Sequence, residues 1–246
     1  MWYAPYLRAR RATIVYVLFL LALTAIAIAV RFAPGVHLNE SASDRHDIAN
    51  FYADLSLLAG GASAFVAGLA TVLGLSLAAE NAGHLELTWT KPIVRERYAL
   101  SVFAVDFAAM AAAQVLTIAC AVLTGWIWMG HQVFTFDPHA AWRDIGAILF
   151  PVYIYAWIVA LTASLKRSRG AVAGFFWPAM LVLAGMSHIH IGVVRALGDA
   201  INTVNPVVLF SESETVVTSP AQYGVAIIGT MILLAFALVE WRRVEA

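Results

Sequence analysis

Charged residues are scarce in this chain. Asp, Glu, Lys and Arg make up 12% of it, against 62% hydrophobic residues, whereas soluble domains carry about 25% charged and about 45–50% apolar residues. So little polar material cannot cover so much apolar surface in water. That excludes an ordinary soluble globule and points to a polytopic membrane protein with little mass outside the bilayer. Cysteine is nearly absent as well. The single Cys120 excludes an internal disulfide and a cysteine-based metal site, and it sits in an apolar run as a small packed hydrophobe. There is no G-x-x-x-x-G-K-[ST] phosphate loop, no H-E-x-x-H and no G-x-S-x-G elbow, so the usual carriers of nucleotide, zinc-peptidase and esterase chemistry are missing. His188 and His190 are two apart, which on a helix turns them about 200° from each other and off any shared metal. Neither an enzyme active site nor a metal is expected, and no nucleic-acid partner. A cleavable signal peptide is not expected either, because 1–13 is aromatic and basic and the apolar run after it lacks a small-residue cleavage site.

What the chain does have is apolar runs. The expected fold is all-α, with six transmembrane helices at about 13–30, 53–79, 98–129, 145–165, 171–191 and 223–239, each long enough for ~30 Å of hydrocarbon. Residues 1–12 read as an interfacial segment in which Trp2, Tyr3, Tyr6 and Leu7 dip into the headgroups while Arg8, Arg10 and Arg11 stay wet. Residues 31–52, 130–144 and 192–222 read as polar connections; Pro151 and Pro178 interrupt the fourth and fifth spans. With the N-terminus inside, Lys and Arg divide eleven to four. Inside are Arg8, Arg10, Arg11, Lys91, Arg95, Arg97, Lys166, Arg167, Arg169, Arg242 and Arg243; outside are Arg31, Arg45, Arg143 and Arg195. The positive-inside rule then places both termini in the cytosol of a cell (inner or plasma) membrane protein.

Small residues recur at Gly60, Ala64, Ala67, Thr71, Gly74 and Ala78, on one stripe of the second span. Such a stripe permits close helix packing, within the chain, along a translocation path or against a second copy. Asp106 is a carboxylate within the third span. Intramembrane carboxylates face a partner or a water-filled cavity, so Asp106 is either a structural partner or a pathway residue. Gln114, two turns on, is its neighbour on a broad face, and the two are the substrate-path candidates.

The most heavily charged interruption in the first half is 80–97, ENAGHLELTWTKPIVRER. Glu80 and Glu86 come first, then Trp89 and Pro92, with Lys91, Arg95 and Arg97. Residues 82–90 can form a short helix that ends before Pro92, with Leu85 and Trp89 as an i, i+4 apolar pair. This stretch resembles the loop of ABC-2 type transporter permeases, through Glu80, Gly83, Leu85, Glu86, Leu87, Lys91, Pro92, Arg95 and Arg97. Asn205-Pro206 and Trp241-Arg242-Arg243 are weaker echoes of the same family.

The resemblance implies a permease subunit that pairs with a separate ABC-type ATPase subunit, commonly two copies, beside a second permease copy (a homodimer) or a paralogous permease. ATP and Mg would be bound by that ATPase, and this chain would hold no cofactor of its own. The 80–97 loop would be the ATPase-coupling element, through Glu80, Gly83, Leu85, Glu86, Trp89, Lys91, Pro92 and Arg95. Transport would be alternating access, with export of a hydrophobic or amphipathic substrate. Two other readings stand beside it. One is an ion-coupled secondary transporter using Asp106, although the first three spans lack prolines to match those of the fourth and fifth. The other is a membrane anchor or assembly subunit.

Overall fold

Away from water a backbone must satisfy its N–H and C=O groups within the protein, and a helix does this within a single segment. The apolar runs accordingly become helices. A computed structural model of the chain describes residues 3–32, 55–80, 95–129, 141–165, 168–210 and 220–243, and among these all regular structure is helical. In order these are α1 (Tyr3–Phe32), α2 (Leu55–Leu73), α3 (Ser76–Glu80), α4 (Arg95–Met129), α5 (Ala141–Thr162), α6 (Arg169–Gly185), a 3-10 turn at Met186–His188, α7 (Gly192–Asn202), α8 (Pro206–Leu209) and α9 (Pro220–Arg243). Five stretches are long and apolar enough to cross a bilayer: Pro5–Phe32, Leu58–Ala78, Glu96–Trp128, Arg169–His188 and Ala221–Trp241. α5 contributes a shorter apolar stretch, Ile148–Thr162. The chain is thus a helical membrane protein.

α5 is the axle of the bundle. Tyr153, Ile154, Tyr155, Ala156, Ile158 and Val159 are all buried, because α2 packs on one side of the helix and α9 on another, with α4 and α6 completing the enclosure. α4 packs on α1 and α2. Its buried positions, Ala99, Val102, Phe103, Asp106, Met110, Ala113, Thr117 and Cys120, recur every three or four residues, as one face of a helix requires. The outer helices leave large apolar side chains bare, among them Val15 and Phe19 on α1, Phe175 and Val182 on α6, and Met231 and Ile232 on α9. Lipid suits these surfaces and water does not.

The structure departs from the sequence-based expectation at four places. Helix α1 begins at Tyr3, so most of the N-terminal segment is the first turns of the same helix; Arg10 and Arg11 are exposed as expected, but Arg8 turns inward. The second span is broken at Gly74–Leu75. Its small-residue stripe is bare at Gly60 and Ala64 and covered at Ala67, Gly74 and Ala78. The helix of the fifth expected span, α6, ends at Gly185, well before 191, and Ile189 is extended (φ −78°, ψ 133°), so His188 and His190 do not share a helix. Finally, part of the 192–222 connection is helical, as α7 and α8.

The geometry of that last region follows from its residues. Gly198 on α7 lies so close to the 3-10 turn that a Cβ there would stand 2.6 Å from the Ser187 nitrogen; only glycine permits α7 to fold back on the end of α6. One face of α7 presents Val193 and Leu197, both exposed, and another presents Arg195 and Asp199, 4.0 Å apart. Such a two-faced surface suits an apolar–water boundary. Asn205 caps α8: its Oδ1 accepts from the Val207 backbone N–H at 3.0 Å, with Pro206 at the first helical position. Its Nδ2 donates to the Met180 carbonyl of α6 at 2.9 Å. Asn205 is 1% exposed, so its loss would strand the Val207 N–H and cut the tie to the Met180 carbonyl of α6. Hydrogen bonds inside membrane proteins contribute about 0.6 kcal/mol on average, and an abandoned buried group costs about 1–3 kcal/mol. Asn205→Ala is therefore expected to destabilise the chain by about 1–3 kcal/mol in a denaturant titration in micelles, with Asn205→Asp, which keeps the cap, intermediate. An unchanged midpoint for Asn205→Ala would show that the staple is idle.

Candidate functional site

Polar contacts gather around the break between α2 and α3. From Thr71 onward, successive positions are held by other helices. Trp177 of α6 donates from Nε1 to Thr71 Oγ1 at 3.2 Å. Thr162 of α5 lies 3.4 Å from the Gly74 carbonyl oxygen, its hydroxyl donating to Ile158 of its own helix at 2.7 Å. Arg169, at the start of α6, donates from Nη1 to the Ala78 carbonyl at 2.7 Å. Between these lies Ser76, whose hydroxyl donates to Asp106 Oδ2 of α4 at 2.8 Å.

Asp106 is the centre of the arrangement. It occupies the middle of the buried stripe of α4 and is 0% exposed, so it must be matched by donors. Tyr155 of α5 supplies one, its hydroxyl donating to Oδ2 at 2.8 Å. Arg8 of α1 supplies the charge: its Nη2 straddles the carboxylate, 3.2 Å from Oδ1 and 3.4 Å from Oδ2. The Arg8 side chain is 23% exposed, and its Nη1 also reaches the Ser76 carbonyl at 3.4 Å. The rings of Phe103 and Phe107 meet the Tyr155 ring edge-on, with centroids 6.2 and 5.3 Å away, and so fix its hydroxyl. One carboxylate thereby ties together α1, α3, α4 and α5.

Gln114 is about 12 Å further along α4 by helical rise. It is turned off the buried stripe towards α2, where its Nε2 donates to the Ala59 carbonyl at 3.1 Å. The two substrate-path candidates are therefore separate: Asp106 in a closed junction of helices, Gln114 a strut between α4 and α2. Tyr16 and Thr117, with hydroxyl oxygens 2.6 Å apart, fasten α1 to α4.

Of the coupling candidates, Glu80 ends α3 and Arg95 begins α4. Gly83, Leu85, Glu86, Trp89, Lys91 and Pro92 lie outside the described residues, as does the short helix expected over 82–90. The helices that flank this interval are the very ones joined through Asp106. In the sequence Asp106 stands out as an anomaly, but nothing local marks Arg8, Ser76 and Tyr155 as its partners. The 3–4 spacing that puts Asp106 on the buried stripe was there to be read. The register of α1 against α4 was not.

Through these side chains α3 is fastened to α1, α4, α5 and α6. No known protein family, characterised protein or solved structure matches the chain.

Proposed function

We propose that this chain is the permease subunit of an ATP-driven transporter of ABC-2 type. In this reading α5 is the fourth of six spans, both termini are cytosolic, and a separate ATPase subunit binds ATP and Mg. Two permease copies, or this chain with a paralogue, frame the path for a hydrophobic or amphipathic substrate that is exported. The 80–97 stretch is the element on which the ATPase pushes.

The observation that carries the reading is the grip on 71–78. A stretch that merely joins two spans needs no such anchorage. Here the chain just before 81–94 is bound by side chains from α1, α4, α5 and α6, so a displacement of that stretch is passed to the whole bundle instead of being absorbed in a slack turn. Closure of the ATPase then tilts α2 and α4 together and changes access to the path.

The test replaces Glu86 and Trp89 together with alanine. The doubly substituted chain is expected to insert normally but to lose substrate-stimulated ATP hydrolysis by its partner ATPase, and to co-purify with that ATPase at less than about a tenth of the original yield, a loss of more than ~1.4 kcal/mol. Full stimulated hydrolysis by the variant would refute the coupling role. The buried Arg8–Asp106 pair favours a second reading, ion-coupled secondary transport. Uptake driven by a proton gradient without any ATPase, and abolished in Asp106→Asn, would select it.

A further inference from the structure

A groove of about 440 Å³ runs between α1 and α4, lined by Tyr6, Arg10, Thr13, Val17, Ala108 and Ala109 among others. Small side chains make it: Ala9, Ala108 and Ala109 leave open a trough that larger side chains would fill. Its walls are almost wholly apolar, and three polar features are placed along α1. At one end Arg10 is exposed and makes no ion pair among the described residues. One turn deeper, the Thr13 hydroxyl oxygen is buried without a hydrogen-bond partner among the described residues. Tyr6, 52% exposed, flanks the Arg10 end. Beyond Thr13 the lining is Ile14, Val17 and Leu18, while Val105 stands at the Arg10 end, next to the Asp106 that pairs with Arg8. From Tyr6 to Leu18 the trough is about 18 Å long by helical rise, close to the ~15 Å hydrocarbon depth of one leaflet.

The geometry points to a binding site for one anionic glycerophospholipid of the leaflet that the N-terminus of α1 faces. The order of chemistry along the groove is the order along such a lipid. A guanidinium meets the phosphate, which it binds by charge-assisted paired hydrogen bonds. A hydroxyl donor stands about 4.5 Å deeper, where the ester carbonyl lies, and an apolar trough follows for an acyl chain. No acidic residue lines the groove, so nothing there compensates the cation of a choline or ethanolamine headgroup, and an anionic lipid is preferred. The site sits on the outer flank of α4, whose inner flank carries Asp106. It does not depend on the transport reading.

Native mass spectrometry of the purified full chain, titrated with phosphatidylglycerol or phosphatidylcholine, tests it. The chain is expected to retain phosphatidylglycerol about tenfold more tightly, the scale of one charge-assisted contact. Arg10→Gln removes that preference, Arg10→Lys keeps part of it, and Arg11→Gln, outside the groove, leaves it within about twofold. Thr13→Val weakens both lipids by roughly threefold to tenfold, as loss of one hydrogen bond should. Ala109→Trp fills the trough and removes retention of both, with unchanged helix content by circular dichroism as the check on folding. Equal retention of the two lipids by the parent chain overturns the proposal, as does a preference that survives Arg10→Gln. So does an Ala109→Trp chain that keeps its lipids but loses a dimer, since a second copy would then be what covers the groove.

Discussion

Asp106→Ala is expected to lower the stability of the folded chain by about 3–5 kcal/mol, the largest loss for any single side chain here. The magnitude follows from what is left behind. Removing one partner of a buried ion pair leaves an uncompensated charge, at a penalty of about 3–5 kcal/mol. Here the stranded groups are the Arg8 guanidinium and the hydroxyls of Ser76 and Tyr155, all aimed at the vacated position. Arg8 lies near the start of α1 and is 23% exposed, so it can reach outward towards water and recover part of the loss. Ser76 and the fully buried Tyr155 cannot follow. Asp106→Asn keeps an acceptor for one hydroxyl and removes the charge, and about 1–3 kcal/mol is expected.

The paired substitution separates a net attraction from a mere need for company. A buried pair replaced by apolar residues of similar size is often neutral or better. Arg8→Met with Asp106→Leu is therefore expected to recover most of the stability lost in either single variant, apart from the two hydroxyls. A denaturant titration in micelles on the four chains reads this as a coupling energy of at least about 1 kcal/mol between positions 8 and 106. Additive losses would mean that the two side chains, 3.2 Å apart, do not act on each other, and the four-helix junction would lose its centre. The double variant also bears on function. If the junction transmits motion, a chain that is stable but lacks the charged link retains its fold and loses coupled hydrolysis.

How much of this was legible in the sequence varies by element and for physical reasons. Uncharged runs announced the bilayer-crossing helices, because length and hydropathy are local properties; α4 begins three residues before the expected 98 and ends at the expected 129. α7 was readable in principle. Val193 and Leu197 are one turn apart, and so are Arg195 and Asp199, but the Gly, Asp and Asn around them have the composition of a loop, which hid the period. The break at Gly74–Leu75 was not legible, since the apolar period runs through it. Nor was the turn of Arg8 inward. Its three arginines look alike in sequence, and what distinguishes Arg8 is a carboxylate 98 positions away. Pairings at that separation depend on how α1 and α4 are rotated and shifted against each other, which no local pattern specifies.

Gly74 provides the second large effect. α2 and α5 make the most extensive helix–helix contact among the described residues, and at Gly74 they come so close that an added Cβ would stand 2.8 Å from both Cβ and Cγ2 of Ile158. Carbon atoms pack at about 3.5–4.0 Å, so the two backbones must part. Ile158 is fully buried and branched at Cβ, and it has no alternative rotamer that clears its own Cβ. Gly74→Ala is expected to destabilise by about 1–3 kcal/mol, and Gly74→Val by more, as overpacking does. The compensating change is Ile158→Ala, which alone leaves a cavity and costs about 2–5 kcal/mol. It removes the Cγ2 clash and frees room for the helix to shift. The double variant Gly74→Ala, Ile158→Ala should then be no less stable than Ile158→Ala by itself, a departure from additivity of about 1 kcal/mol or more. Simple additivity would place the strain elsewhere. Parting α2 from α5 at this level also pulls Ser76 and Ala78 away from Asp106 and Arg169. If the junction transmits motion as proposed, a Gly74→Ala chain that folds should lose coupled ATP hydrolysis, and adding Ile158→Ala should restore the coupling while the double variant stays about as unstable as Ile158→Ala alone.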